Sequence, residues 1–346
     1  MKLRTVEVGR GIAASAVVVF HANATAGFIG LATTPWANPL QLGVDFFFVL
    51  SGFIIFHVHR DDMGHSDRAL PYLWKRFVRL FPLLWLIAGG WIALRAVMVG
   101  APSADQIGTS LLLYPSLADT VPEVVWTLRH EMLFYVAFCV AIINRSAGLA
   151  LFGVWTVAVL VQMGLIAAGR PIEGMPSLLL SSFVLDFVLG AIVAAVSRRW
   201  VGSSWWPLLA GIALVGGLVW AMQVFGIDRL GTLDYTSAGN LFVPLIGAGF
   251  ALCLYGMICV ETRVRVPEWA MLIGASSYAI YLVHTPLNSI VQHIAVRLGD
   301  GFGHLLIIAS GMAAGIVLHL LFEKPVTRAL RRWSPFGGSA NLSSAP

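Results

Sequence analysis

Ten apolar runs, each close to the length of a bilayer-spanning helix, constrain this chain more than any other feature. A helix needs about 20 predominantly apolar residues to cross the hydrocarbon core of a bilayer. Runs near this length lie at 9–24, 40–58, 80–99, 127–143, 148–168, 177–197, 206–225, 239–260, 271–292 and 303–322. Because backbone polar groups in lipid must be satisfied internally, these runs predict an all-α, polytopic membrane bundle of about ten transmembrane helices.

Composition agrees with a chain that lies largely in lipid. Of its 346 residues 58% are apolar and 11% are charged, whereas soluble domains are about 45–50% apolar and about 25% charged. No stretch outside the runs is long enough to bury a core of its own. We therefore expect one transmembrane domain over residues 1–325 and a short cytoplasmic tail over 326–346.

The basic residues fall in alternate connections between the runs. Lipid headgroups explain such clusters at helix ends, so the net charge of +5 does not indicate a nucleic-acid partner. The basic connections contain Lys2, Arg4, 60–79, Arg145, Arg198, Arg199, Arg263, Arg265, Lys324, Arg328, Arg331 and Arg332. The positive-inside rule places them in the cytoplasm, and an even number of spans then puts both termini there.

The N-terminus also has the pattern of a cleaved signal peptide. A basic start precedes an apolar run and the small residues of 22–24, as in secretory signals. Glu7, Arg10 and His21 argue against this interpretation, because charged and titratable residues fit badly in a disposable apolar segment.

Arg10 and His21 occupy the first run. Titratable side chains are costly in a membrane and usually mark a functional site. Their separation of eleven residues is three helical turns plus about 20°, so both lie on one face, about 16 Å apart along the axis. Alternatively, Arg10 is an interfacial anchor paired with Glu7, and His21 is a polar residue satisfied between helices.

Three further titratable residues lie at a similar depth in the outward half of the bundle. They are Asp45 in the second run, Glu131 at the start of the fourth and His284 in the ninth. Asp45 is suited to a hydrogen bond that fixes the tautomer of His21 and supports a general base, or else to a pair with another helix. With His21 these residues predict an outward layer of four polar groups.

The inward side carries a different chemistry. Lys75, Arg76 and Arg79 precede Pro82 at the entry to the third run. Guanidinium groups at i and i+3 suit bidentate binding of phosphate, although any cytoplasmic helix end collects basic residues. Glu323 closes the tenth run on the same side and is placed to orient an arginine.

Two connections are longer than a turn requires, and both are candidate substrate-binding elements. The inward one, 57–82, contains an amphipathic piece after Pro71. The outward one, 100–125, contains the apolar patch 111–114 and is long enough to fold back over a cavity. Cys139, Cys253 and Cys259 lie inside apolar runs without ligand spacing, so neither a disulfide framework nor a metal site is expected.

Six stretches in this order together resemble the acyltransferase family 3 proteins, which are polytopic membrane O-acyltransferases. They are Arg10-Gly11-Ile12-Ala13-Ala14 with His21 beyond it, 43–53, Arg76-x-x-Arg79 with Pro82, Trp126-x-Leu128-x-x-Glu131-x-x-Phe134-Tyr135, Ser277-Tyr278-x-x-Tyr281-Leu282-x-His284, and Glu323-x-Pro325. The resemblance covers essentially the whole chain. It implies that Arg10 and His21 form the required catalytic pair and that Arg76 and Arg79 form the cytoplasmic donor motif.

The resemblance also implies a reaction. Acetyl-CoA would dock its phosphates on Arg76 and Arg79, and Arg10 would guide the pantetheine arm. His21 would act as general base for a hydroxyl of an extracytoplasmic or lipid-linked polysaccharide, with Asp45, Glu131 or His284 orienting or stabilising. An acyl-histidine intermediate is a rival mechanism, since no Ser or Cys is an obvious nucleophile.

Within the family, the compact length and the stretch 59–64 look like the exopolysaccharide O-acetyltransferase branch. This branch implies a multi-pass protein of the bacterial cytoplasmic membrane, with membrane lipid and polysaccharide assembly machinery as partners. Two other functions stay open at this point. A transporter of a glycan or an anion would also need intramembrane Arg, His and Glu, although no internal repeat is visible. A scaffold of an assembly complex would leave Arg10 and His21 replaceable.

Overall fold

The computed structural model describes residues 3–226 and 234–336, and within these ranges it contains helices and no β-strand. Its α-helices are α1 (Arg4–Phe28), α2 (Gly43–His59), α3 (Ala69–Leu84), α4 (Gly90–Met98), α5 (Ala104–Leu112), α6 (Trp126–Ile143), α7 (Arg145–Ala167), α8 (Met175–Leu179), α9 (Phe183–Arg199), α10 (Trp206–Val224), α11 (Val243–Val260), α12 (Glu268–Ala275), α13 (Ser277–Leu298), α14 (Asp300–Leu318) and α15 (Lys324–Arg332).

The predicted number of spans is confirmed. Nine helical segments of the described chain are long and apolar enough to cross a membrane. The consecutive helices α12 and α13 meet at a bend of 64° and together make a tenth. The protein is therefore an all-helical, multi-pass membrane protein, as the apolar runs predict.

Two spans are longer than the sequence predicts. Helical structure continues from Ser66 to Met98 and from Asp300 to Arg332. Within each, a π-helical turn joins two α-helices, Trp85–Gly89 after α3 and His319–Glu323 before α15. Most of the expected inward connection 57–82 is thus α3, and the expected tail begins inside α15. Residues 337–346 of that tail lie outside the described residues.

Glycines bring α2 and α9 into close contact. A Cβ added to Gly52 would lie 2.0 Å from the carbonyl oxygen of Phe187, and one added to Gly190 would lie 1.8 Å from that of Val49. Only glycine permits such an approach of two backbones in a membrane bundle. Helix α1 lies at the centre, where it packs against α2, α11, α12, α13 and α14.

The outward connection 100–125 folds back onto the bundle. Ser103 and Gln106 form a capping box at the start of α5. The buried Arg129 of α6 donates hydrogen bonds to the carbonyl oxygens of Ser116 and Ala118. The indole N–H of Trp85 donates to Leu111 at 2.9 Å. These bonds satisfy loop carbonyl groups and tie the loop to the helices beneath it.

Candidate functional site

A cavity of about 180 Å³ enters the bundle from its basic end. Pockets that hold drug-sized ligands measure about 300–1,000 Å³, so this cavity is smaller than a typical ligand pocket. Its walls come from α1, α2, α3, α6, α13 and α15. The polar part of the lining consists of Arg10, Ser51, Lys75, Arg76, Arg79, Thr127, Glu131, Tyr135, Ser277, Tyr278, Tyr281 and Arg331.

The cavity brings the two ends of the described chain together. Arg10 lies near the start of α1 and Arg331 near the end of α15, and both line the same cavity. The two chain ends therefore lie on one side of the bundle, as an even number of spans requires. This is the side that the distribution of Lys and Arg assigns to the cytoplasm.

Two of the arginines in the cavity wall are paired with carboxylates. The Nη1 of Arg79 donates to Oε1 of the buried Glu323, whose other oxygen lies 2.8 Å from Nδ1 of His319. The Nη1 of Arg10 lies 3.4 Å from Oε1 of Glu7. The prediction that Glu323 orients an arginine is confirmed. Arg10 has its expected local partner and also lines the cavity, so the two sequence interpretations of this residue are compatible.

Arg76 has a different environment. Its guanidinium lies over the rings of Tyr72 and Tyr135, 5.8 and 5.6 Å from the ring centroids. Its Nη2 lies 3.4 Å from Nε2 of His59, and Nδ1 of His59 lies 2.8 Å from Asp62. Among the residues that the structure describes, no carboxylate lies within ion-pair distance of Arg76. Its charge is therefore held in place by aromatic faces and is available to an anionic ligand.

Glu131 lines the same basic cavity. Its Oε1 accepts hydrogen bonds from the hydroxyl groups of Tyr135 and Ser51, the latter at 3.2 Å. The sequence places Glu131 in an outward layer with His21. The structure instead groups it with the basic residues, because α3 and α6 face each other across the cavity and bring Tyr135 beside Arg76.

His21 and His284 lie side by side, although 263 residues separate them in the chain. Nε2 of His284 is 3.1 Å from Nδ1 of His21, and the ring centroids are 4.9 Å apart. Nδ1 of His21 also lies 3.0 Å from the carbonyl oxygen of Val17, and Nδ1 of His284 lies 3.1 Å from that of Ile280. His284 is fully buried, and His21 is partly buried. The pair joins the centre of α1 to α13.

The expected contact between Asp45 and His21 is corrected by this geometry. The ring contacts described for His21 are to Val17, Phe20 and His284, and Asp45 is not among them. Asp45 is buried on the face of α2 that also carries Val49 and Gly52, which is the face that packs against α9. The imidazole neighbour of His21 is therefore supplied by α13.

Tyr281 forms the wall between the cavity and the two histidines. Its hydroxyl lies 2.9 Å from that of Thr127 and donates to the carbonyl oxygen of Val124 at 3.1 Å. Its ring centroid is 5.9 Å from that of His284 and 6.1 Å from that of Phe47. Tyr281, Phe47 and Thr127 line the cavity, whereas His21 and His284 lie behind them.

The sequence-predicted residues thus divide into three groups. Arg10, Arg76, Arg79 and Glu131 share the cavity, His21 and His284 form a pair next to the cavity residue Tyr281, and Asp45 is buried on the face of α2 that also carries Val49 and Gly52. No group of three or more metal-ligating side chains occurs in the described ranges.

Two residues of this site were not predicted from the sequence. Arg331 looked like any cytoplasmic arginine, and Tyr281 was noted only within the motif of the ninth run. No local sequence pattern distinguishes Arg331 from Arg328 or Arg332. Arg331 reaches the cavity because α15 packs against α3.

The chain matches known proteins over most of its length. Residues 3–324 match the family model described as "Acyltransferase domain". The exopolysaccharide production protein ExoZ of Rhizobium meliloti is 27% identical over 310 residues, which cover 83% of this chain and 89% of that protein. The acyltransferase MdmB of Streptomyces mycarofaciens is 26% identical over 338 residues, covering 85% and 83% respectively.

A third relative covers a larger share of this chain. The putative peptidoglycan O-acetyltransferase YrhL of Bacillus subtilis is 26% identical in an alignment of length 384, which spans 94% of this chain and 55% of that protein. No solved structure matches the chain.

Proposed function

The chain belongs to the acyltransferase family whose domain model it matches from residue 3 to residue 324, and we propose that it moves an acetyl group from cytoplasmic acetyl-CoA to a hydroxyl of an extracytoplasmic or lipid-linked polysaccharide. The observation that carries this proposal is the contact between the His21–His284 pair and Tyr281, a residue in the lining of the basic cavity.

The cavity supports a thioester donor that carries phosphates. Arg76 and Arg79 lie in its wall at i and i+3 of α3, where guanidinium groups suit phosphate oxygens. The narrow volume fits an extended pantetheine arm, with the nucleotide left at the mouth. Arg10, held by Glu7, lies along the path of that arm.

The relatives support the class of acceptor. One is named for exopolysaccharide production and another as a putative peptidoglycan O-acetyltransferase, so each of these names points to a glycan. A sugar hydroxyl is the acceptor we propose for this chain. Its location would be the bacterial cytoplasmic membrane, where a donor from one side and a glycan from the other can meet.

The histidine pair supports His21 as the general base. A carbonyl oxygen only accepts hydrogen bonds, so Nδ1 of His284 carries the proton that faces Ile280. In the neutral ring, Nε2 of His284 then has a lone pair, and Nδ1–H of His21 donates both to this nitrogen and to the carbonyl oxygen of Val17. This fixes the tautomer of His21 and leaves its Nε2 as the basic atom. His284 therefore takes the orienting role that the sequence favours for Asp45.

The proposed step is direct transfer. The acceptor oxygen attacks the thioester carbonyl while Nε2 of His21 takes the hydroxyl proton. The C–S bond then breaks, and the imidazolium returns the proton to the departing CoA thiolate. Because Tyr281 lies between the cavity and the pair, the step requires the Tyr281 side chain to leave its hydrogen bond with Thr127 as the thioester arrives.

The proposal is tested with the purified full-length protein in lipid nanodiscs. Release of CoA from acetyl-CoA is measured with and without polysaccharide acceptor, and acetylated sugar is identified by mass spectrometry. We expect acceptor-dependent release that is lost in His21→Ala. The matched control is His293→Ala, which changes an exposed histidine of α13.

Two outcomes would contradict the proposal. Full activity of His21→Ala would remove the proposed base. Transport of a glycan across the bilayer without release of CoA would assign the chain to the transporter class instead.

A further inference from the structure

The cavity carries more positive charge than its own carboxylates balance. Five cationic side chains line it, contributed by α1, α3 and α15: Arg10, Lys75, Arg76, Arg79 and Arg331. Arg10 and Arg79 have ion-pair partners in Glu7 and Glu323. Lys75, Arg76 and Arg331 have none within ion-pair distance among residues 3–226 and 234–336. Arg76 and Arg331 are half-buried, and such cations without a partner are costly, so this end of the cavity is suited to an anion.

The cations lie at different depths. Arg79 is the innermost of the α3 residues, since it is held by the buried Glu323 and lies 5.0 Å from the ring centroid of Tyr278. Lys75 is exposed and Arg331 is half-buried at the mouth. Arg331 is close enough to Lys75, Arg76 and Arg79 for their charges to repel one another. An anion bound between α3 and α15 would offset this repulsion.

We propose that Arg331 and Lys75 form a second phosphate subsite at the mouth, which binds the ribose 3′-phosphate of a CoA-type donor. This inference rests on the proposed function. Arg76 and Arg79 would then hold the pyrophosphate that precedes the pantetheine arm. A phosphomonoester carries about −1.5 to −2 charges near pH 7, which matches two otherwise unpaired cations.

The fold explains how a residue near the chain end reaches the donor. The π-helical turn His319–Glu323 precedes α15, which packs against α3. Glu323 within that turn binds Arg79, so one contact fixes α15 beside the donor motif. Arg331 lies about two turns after Glu323, and the position of α15 puts it at the mouth of the cavity. Arg328 and Arg332 are exposed and do not line the cavity.

The experiment compares acetyl-CoA with 3′-dephospho-acetyl-CoA as donors for the nanodisc-embedded full chain. For the unchanged protein we expect kcat/KM to be about tenfold or more higher with acetyl-CoA, since one charge-assisted bond to phosphate is worth about that factor. In Arg331→Gln the ratio of the two kcat/KM values falls towards one, mainly through a higher KM for acetyl-CoA. Arg331→Lys keeps most of the ratio.

The matched controls are Arg328→Gln and Arg332→Gln, which remove the same charge from the same helix at exposed positions. We expect both to keep the full preference for the 3′-phosphate. This comparison separates a local subsite from general attraction of anions by a basic surface.

Three results would overturn the subsite. They are equal kcat/KM of the unchanged protein for the two donors, an equal loss of kcat/KM for both donors in Arg331→Gln, and an equal loss of the preference in the control variants. Direct binding of CoA and 3′-dephospho-CoA, measured calorimetrically on Arg331→Gln, gives the same answer without turnover. Failure of the proposed function is distinguishable, because the unchanged protein would then release CoA from neither donor.

Discussion

The two ends of the proposed reaction path differ in how their polar groups are satisfied. At the basic end, Lys75, Arg76 and Arg331 line an open cavity, and none of them has an ion-pair partner among the described residues. At the other end, His21 and His284 satisfy each other and two backbone carbonyl groups behind a wall of Tyr281 and Phe47. The basic end therefore has cations available to a charged ligand, whereas the hydrogen bonds of the histidine pair are already formed.

The difference indicates a division of labour. Unbalanced cations bind a polyanion strongly and do so before any chemistry, so changes there should alter KM. A preordered imidazole pair contributes when a proton moves, so changes there should alter kcat. The division would be wrong if substitutions at the basic end lowered kcat, or if substitutions in the histidine pair raised KM.

The largest effect is expected from His21. Loss of a positioned general base typically costs about 10²–10⁴ in rate, so His21→Ala should lower kcat by that factor with little change in KM for acetyl-CoA. Arg76→Gln should instead raise KM for acetyl-CoA about tenfold and leave kcat nearly unchanged. Steady-state kinetics of both variants with varied acetyl-CoA test this split. An equal loss of kcat in Arg76→Gln would show that the two regions are not separable.

His284 should come second. Hydrogen-bond partners that orient metal-ligating histidines are worth about 10- to 100-fold, and by analogy His284→Leu should lower kcat within that range. His284→Gln keeps a side-chain oxygen that can accept from Nδ1–H of His21, and it should recover part of the rate. If the two variants are equally slow, the role of His284 is packing and not orientation.

The third prediction concerns the Arg79–Glu323 pair at the basic end, where stability and donor binding can be measured separately. Arg79→Gln leaves the buried Glu323 with only His319, and we expect a loss of about 2 kcal/mol in stability, less than the roughly 3–5 kcal/mol for a fully unpaired buried charge. Arg79→Gln combined with Glu323→Gln should regain the stability but not the affinity for donor. Thermal unfolding and KM are measured on the same samples, with Arg76→Gln as the control that leaves Glu323 paired.

A smaller effect is expected at the wall between the regions. Tyr281→Ala removes the ring that separates the cavity from His284. Water should then reach the thioester, and release of CoA without acceptor should rise a few-fold while transfer to polysaccharide falls. Tyr281→Phe keeps the ring and loses only the hydroxyl group, with its bonds to Thr127 and to the carbonyl oxygen of Val124, so it is the matched control. Unchanged acceptor-free release in Tyr281→Ala would show that this ring is not the barrier.

The smallest effect lies in the outward connection 100–125. Hydrogen bonds from the hydroxyl groups of Tyr114 and Ser116 lower the pKa of Asp105 below its ordinary value. Its carboxylate therefore stabilises the folded loop above an unfolded-chain pKa of about 3.9, and this contribution is lost as the pH falls through the lower folded pKa.

Hydrogen exchange of α5 and the residues after it tests this expectation. Protection should weaken as the pH is lowered from 5 to about 3, after correction for intrinsic exchange. Asp105→Asn should remove that dependence while leaving kcat unchanged. A dependence that persists in Asp105→Asn would assign it to another group.

Much of the fold follows from the sequence alone. Lipid admits only internally satisfied backbone, so apolar runs of sufficient length had to become helices, and their number and order were readable. The cost of charge in a membrane likewise singled out Arg10, His21, Arg76, Arg79, Glu131 and His284 as candidate functional side chains. The pairing of Glu323 with an arginine was readable as well, because both lie at the same end of the bundle.

The tertiary structure alone decided which of these side chains meet. Depth in the membrane follows from position along a helix, but rotation about the helix axis and the choice of neighbouring helix depend on packing between segments far apart in the chain. Glycines at 52 and 190 turn the Asp45 face of α2 towards α9. The packing of α1 beside α13 makes His284 the neighbour of His21, and the packing of α15 on α3 brings Arg331 to the cavity.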